Sequence, residues 1–210
     1  MIKETANKNM KTFVFWGSLW GLAEATLGSV FHIVPWVAGF FMFPIGFYFM
    51  KKALNDSGKL VSIFYTASIA AGIKLTGLFL PFQNPAKILN PAASIMIEAM
   101  AVILFFKVFT YDKGHFKLRE IITAALGWRL IFITYHMVLL SFSLYDGILQ
   151  MEPLTMVRFL LLESFINAFI IALFLKFESG REPVFIRFLK PGFITSFMLL
   201  TAAVLAELVL

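Results

Sequence analysis

The stretch Gly17-Ser18-Leu19-Trp20-Gly21-Leu22-Ala23-Glu24-Ala25-Thr26-Leu27-Gly28 lies inside an apolar run from Thr12 to Val34. A helix that crosses a bilayer needs about 20 mostly apolar residues, and this run is long enough. A surface helix of a soluble domain would carry a broad polar face. Here a single carboxylate, Glu24, stands near the middle of the run. Six further apolar runs follow: Trp36–Met50, Leu60–Leu80, Ala92–Thr110, Ile121–Phe142, Thr155–Leu175 and Gly192–Leu210. The first of these is short and carries Pro44, which neighbouring helices make tolerable inside a bundle. The pattern predicts an all-α, polytopic membrane helix bundle, one transmembrane domain over residues 1–210. It has seven spans, or six if the second or the last segment does not cross.

Composition supports this class. Of the 210 residues 60% are hydrophobic and 14% charged, with a mean hydropathy of +0.86. Soluble domains run about 45–50% apolar and about 25% charged. Cysteine is absent, which excludes disulfides, thiolate metal sites and cysteine nucleophiles. The net charge of +6 reads as basic cytoplasmic loops and not as a nucleic-acid surface.

Lys and Arg set the orientation. Lys3, Lys8 and Lys11 precede the first span, and Lys51, Lys52 and Lys59 follow the second. Lys107, Lys113, Lys117 and Arg119 follow the fourth, and Lys176, Arg181, Arg187 and Lys190 follow the sixth. Fourteen of the 18 basic residues thus fall on one side. The positive-inside rule places that side, and the N-terminus, in the cytoplasm of a cell-membrane protein. Seven crossings then put the C-terminus outside. Pro81–Pro91 and Leu144–Pro153 read as outer loops, and Val184–Lys190 as an amphipathic interfacial segment.

Ionisable groups at membrane depth cost about 2.5–3.5 kcal/mol on insertion scales, so each is a functional candidate. Glu24 lies at mid-depth, and Lys74, Glu98, His136 and Glu163 lie in the outer halves of their helices. His32 closes the first helix at the outer boundary, with Arg158 near the outer end of the sixth and Arg129 in the inner half of the fifth. The signs nearly balance, so structural ion pairs are one reading. The shared depth favours the other, a polar cavity facing outward. Glu24, His32, Lys74, Glu98, His136 and Glu163 are its candidate ligand-binding residues. Ser94 with Glu98, and Glu163 with Asn167, are four apart and share a helix face. Trp16, Trp20 and Trp36 suit interface anchoring or stacking on a flat ligand.

Gly17, Gly21, Ala25 and Gly28 form one small-residue stripe on the first helix. Such stripes let helices approach closely, within the chain or across to another subunit. No serine-hydrolase elbow, His-Glu-x-x-His zinc motif or Walker A loop is present. No metal or cofactor is therefore expected.

The stretch Gly17–Gly28, together with Ala70-Ala71-Gly72-Ile73-Lys74-Leu75, resembles the substrate-binding (S) component of energy-coupling factor (ECF) vitamin transporters. The resemblance implies a vitamin-sized ligand bound near the outer face. It also implies a membrane coupling subunit docked on the first helix, at Gly17, Gly21, Ala25 and Gly28, and separate ATPase subunits. Nucleic acid is not an expected partner. Two other readings stay open: a membrane enzyme acting on a lipid or isoprenoid through one of the buried carboxylates or His136, and a transporter or scaffold that works alone.

Overall fold

The computed structural model describes residues 2–31, 35–81, 84–109, 117–142, 152–178 and 191–210. Its elements are α1 (Ile2–Phe31), α2 (Pro35–Ser57), α3 (Val61–Leu75), α4 (Pro85–Val108), α5 (Leu118–Ser141), α6 (Pro153–Val157), α7 (Glu163–Glu178) and α8 (Phe193–Val209). A 3₁₀ turn, Thr76–Phe79, continues α3, and a π turn, Arg158–Leu162, joins α6 to α7. With α6, the π turn and α7 taken as one rod, one rod overlaps each of the seven predicted segments. The protein is an all-α polytopic membrane bundle. Five of the rods are long and apolar enough to cross a bilayer on length and composition: α2, α3 with its 3₁₀ turn, α4, α5 and α6–α7. The terminal helix α8 is apolar and shorter, at 17 residues.

Helices α2, α3, α4, α5 and α7 pack side to side into a closed ring. Helix α1 lies against α2 and α3, and α8 packs against α1 and α3. The interior is apolar and aromatic, with Trp20, Phe43, Phe47, Met50, Ile63 and Ile95 fully or almost fully buried. The outside is apolar too. Phe64, Leu104, Met137, Phe165, Phe169 and Phe197 are all exposed. A soluble monomer does not present so much large apolar surface, whereas lipid tails solvate it.

Several boundaries differ from those read in the sequence. Lys51 and Lys52, expected just past the second apolar run at its cytoplasmic end, are helical and buried. Helix α2 continues past them, with the Lys52 ammonium 5.7 Å from the Tyr48 ring centre. It stops only at Gly58, whose φ of 68° lets its N–H bond back to Leu54 O at 2.8 Å in the left-handed cap that glycine favours. Helix α4 begins at Pro85, inside the expected outer loop. Proline at the first helical position loses no intrahelical bond, and Asn84 Oδ1 caps the turn by accepting from Ala86 N–H at 3.0 Å. Pro91 then falls within the helix.

The small-residue stripe of α1 is used within the chain. A Cβ at Gly17 would stand 2.7 Å from both Ile69 Cβ and the Thr66 carbonyl oxygen of α3. One at Gly21 would meet Ile73 at 2.5 Å. Ala25 and Gly28 line internal cavities. Gly17 and Gly21 thus bring α1 onto α3 of the same chain, the intramolecular one of the two uses read for the stripe. The segment Val184–Lys190 lies outside the described residues, as does most of the predicted loop Leu144–Pro153.

Candidate functional site

A cavity of about 440 Å³ opens among α1, α2, α3, α4, α5 and the π turn. Its lining comes from the end of α1, the start of α2, the end of α3 and the start of α4, so it sits toward one end of the bundle. The walls are mainly apolar, with Phe31, Phe43, Trp128, Phe132 and Phe159 among them. A few polar groups interrupt them: Glu24, Lys74, Lys87, Asn90, Ser94 and Glu98. Apolar walls with few, fixed polar groups are the usual make-up of a small-molecule site, and such sites run about 300–1,000 Å³.

Each polar group is held by a local device. Glu98 is 4% exposed, and its Oε1 accepts from Ser94 Oγ at 3.2 Å, one helical turn away. Its Oε2 has no hydrogen-bond partner among the described residues. Gly46 of α2 makes room for it, since a Cβ there would stand 3.2 Å from Oε2 and 2.6 Å from the Trp20 ring. The Trp20 indole in turn donates to Glu24 Oε1 at 3.0 Å. Trp128 is 5% exposed, and its indole N–H is likewise unpartnered. Lys74 is engaged elsewhere. Its Nζ lies 2.8 and 3.0 Å from the two oxygens of Glu207 on α8. That pair also lines a second cavity of about 400 Å³, which shares Lys74 and Lys87 with the first.

Glu163 belongs to a separate buried network. Arg129 is fully buried. It donates to Gly39 O at 3.0 Å, to Ala125 O at 3.2 Å, and to Ser164 Oγ and Glu163 Oε2 at 3.4 Å. Asn167 donates to Gly39 O at 3.1 Å and Phe40 O at 2.7 Å. Arg158 reaches Glu163 Oε1 at 3.5 Å, because the i→i+5 spacing of a π turn brings the two onto one side. The Arg129 guanidinium also lies 4.5 Å from the Trp128 ring centre and 5.1 Å from that of Phe159. The network thus braces the aromatic wall from behind.

Of the predicted binding residues, Glu24, Lys74 and Glu98 converge on the cavity. Glu163 and His136 are buried but do not line it. His136 Nδ1 is 3.1 Å from Phe132 O, and its ring packs edge-on to Phe132 at 4.4 Å. His32 lies outside the described residues. The sequence reading missed Trp128, Glu207, Gly39 and Gly46. Glu207 had a signal, as the sole charge in the last apolar segment. The two glycines had none, because a close approach between helices depends on the partner helix. Trp16, for which interface anchoring and stacking on a ligand were both open, is buried and donates to Asp56 Oδ2 at 2.8 Å. Among the described residues no three metal-ligating side chains cluster.

Fold and site together define a polytopic membrane protein with a cavity of about 440 Å³ between its helices. Compared with family profiles, curated proteins and solved structures, the chain matches none at a significant level.

Proposed function

We propose that this protein is a substrate-binding membrane component that takes up a small, vitamin-like molecule, as in the S component of an ECF transporter. The observation that carries this reading is the cavity itself: about 440 Å³ of apolar and aromatic wall, with Glu98 Oε2 and the Trp128 N–H buried and unpartnered among the described residues. Buried polar groups are almost always hydrogen-bonded, and a bound ligand satisfies these two. The N-terminus is cytoplasmic on the basic-residue distribution, which turns the cavity toward the outside. Coupling and ATPase subunits are separate chains, since this one has no Walker A loop.

A membrane enzyme acting on a lipid or isoprenoid is the second reading. Glu98, a buried carboxylate in an apolar cavity, favours it as a general acid or base. Purification from native membranes in mild detergent separates the two. The transport reading expects coupling and ATPase subunits, identified by sequencing, in fixed ratio with the chain. It also expects solute uptake that needs ATP. A chain isolated alone that turns over a lipid without ATP would support the enzyme instead.

A further inference from the structure

We propose that the cavity takes an organic cation: a compact molecule with a charged nitrogen that donates to Glu98 and a flat apolar body against the aromatic wall. The proposal rests on the substrate-binding reading and names the class of its substrate. Glu98 lines the cavity, nine-tenths buried, with Oε2 unpartnered. The nearby cationic side chains are committed to other acceptors. Lys74 holds both oxygens of Glu207, and Arg129 holds Gly39 O, Ser164 and Glu163. Lys87, the remaining lysine of the lining, is exposed. Glu24 adds a second carboxylate to the same cavity. Glu24 is held by the Trp20 indole, so among the carboxylates of the lining it is Glu98 that is left with a buried oxygen unpartnered among the described residues.

An unpaired buried charge is costly, and a bound opposite charge relieves that cost. The aromatic wall suits the apolar body. Trp128, Phe132 and Phe159 line the cavity, with the Arg129 guanidinium already over the Trp128 and Phe159 rings. The unpartnered Trp128 indole N–H then selects ligands with an acceptor atom on the apolar body.

The test uses the full chain in detergent and isothermal titration with two probes of similar size: phenethylammonium and hydrocinnamate. Charge-assisted hydrogen bonds are the strong ones, and their net worth corresponds to about ten- to hundredfold in affinity. Phenethylammonium should bind at least about tenfold more tightly than hydrocinnamate on that basis. Glu98→Gln should remove that advantage, read as the ratio of the phenethylammonium and hydrocinnamate affinities within the variant, with an unchanged melting temperature showing the fold intact. The wild-type preference alone decides the matter if Glu98→Gln does not fold. Equal affinities, a preference for the anion, or no saturable binding of the cation would overturn the proposal. Copurification with coupling subunits and ATP-dependent uptake decide the transport reading separately, so failure of the cation class is distinguishable from failure of the function.

Discussion

Gly17→Ala, paired with Gly28→Ala, tests how α1 is held. Both glycines lie in the same helix, so the gain in helix propensity, about 1 kcal/mol for Gly→Ala, cancels between them. What differs is the space. At Gly17 the new Cβ would be 2.7 Å from the Thr66 carbonyl oxygen and from Ile69 Cβ, whereas at Gly28 nothing lies within 4 Å. Carbon contacts are favourable at about 3.5–4.0 Å, so α1 and α3 must separate by nearly 1 Å. A gap of that size forfeits about a quarter to a half of each contact's attraction. Overpacking of this kind costs about 1–3 kcal/mol. For a chain of this length 1 kcal/mol moves Tm by about 2–4 °C. Gly17→Ala should therefore melt about 2–12 °C below Gly28→Ala when both are followed by tryptophan fluorescence in the same detergent. Equal melting temperatures would refute internal use of the stripe and return Gly17 to an intersubunit role.

Arg129→Met leaves Glu163 buried with only Arg158 nearby, at 3.5 Å. Breaking a buried pair costs about 3–5 kcal/mol, and the remaining Arg158 contact puts the loss near the lower bound. Adding Glu163→Gln should recover part of it, and thermal unfolding of the single and double variants checks this. Lys74→Met removes the ion pair with Glu207 and its hydrogen bond. Bonds to charged groups are worth about 1.5–3 kcal/mol, so amide exchange should accelerate across α8 and not across α4. Unchanged exchange in α8 would show that the pair does not hold that helix. A reporter fused after Leu210 should signal from outside the cell, and a cytoplasmic signal would contradict the seven-crossing topology.

Hydropathy made the seven rods legible because membrane helices must bury or lipid-solvate nearly every side chain. It misplaced their ends. The apolar run stops at Met50, but helix α2 runs to Ser57 because Gly58, not charge, ends it. The intramembrane charges were legible as costly groups, and Ser94–Glu98 spacing anticipated a real hydrogen bond. Their partners were not. Lys74 with Glu207 and Arg129 with Glu163 join residues far apart in sequence, and helical periodicity carries no information about which helix faces which. The division of the charges into a cavity lining and a bracing network behind Trp128 follows from that packing alone.

The most direct test of the binding reading is mass spectrometry of the organic molecules released when the purified protein is denatured. The predicted result is one small molecule, in near-equal amount with the chain, and strongly depleted in Glu98→Gln. Release of phospholipid alone, or of the same molecule in the same amount from Glu98→Gln, would contradict a ligand site built on Glu98.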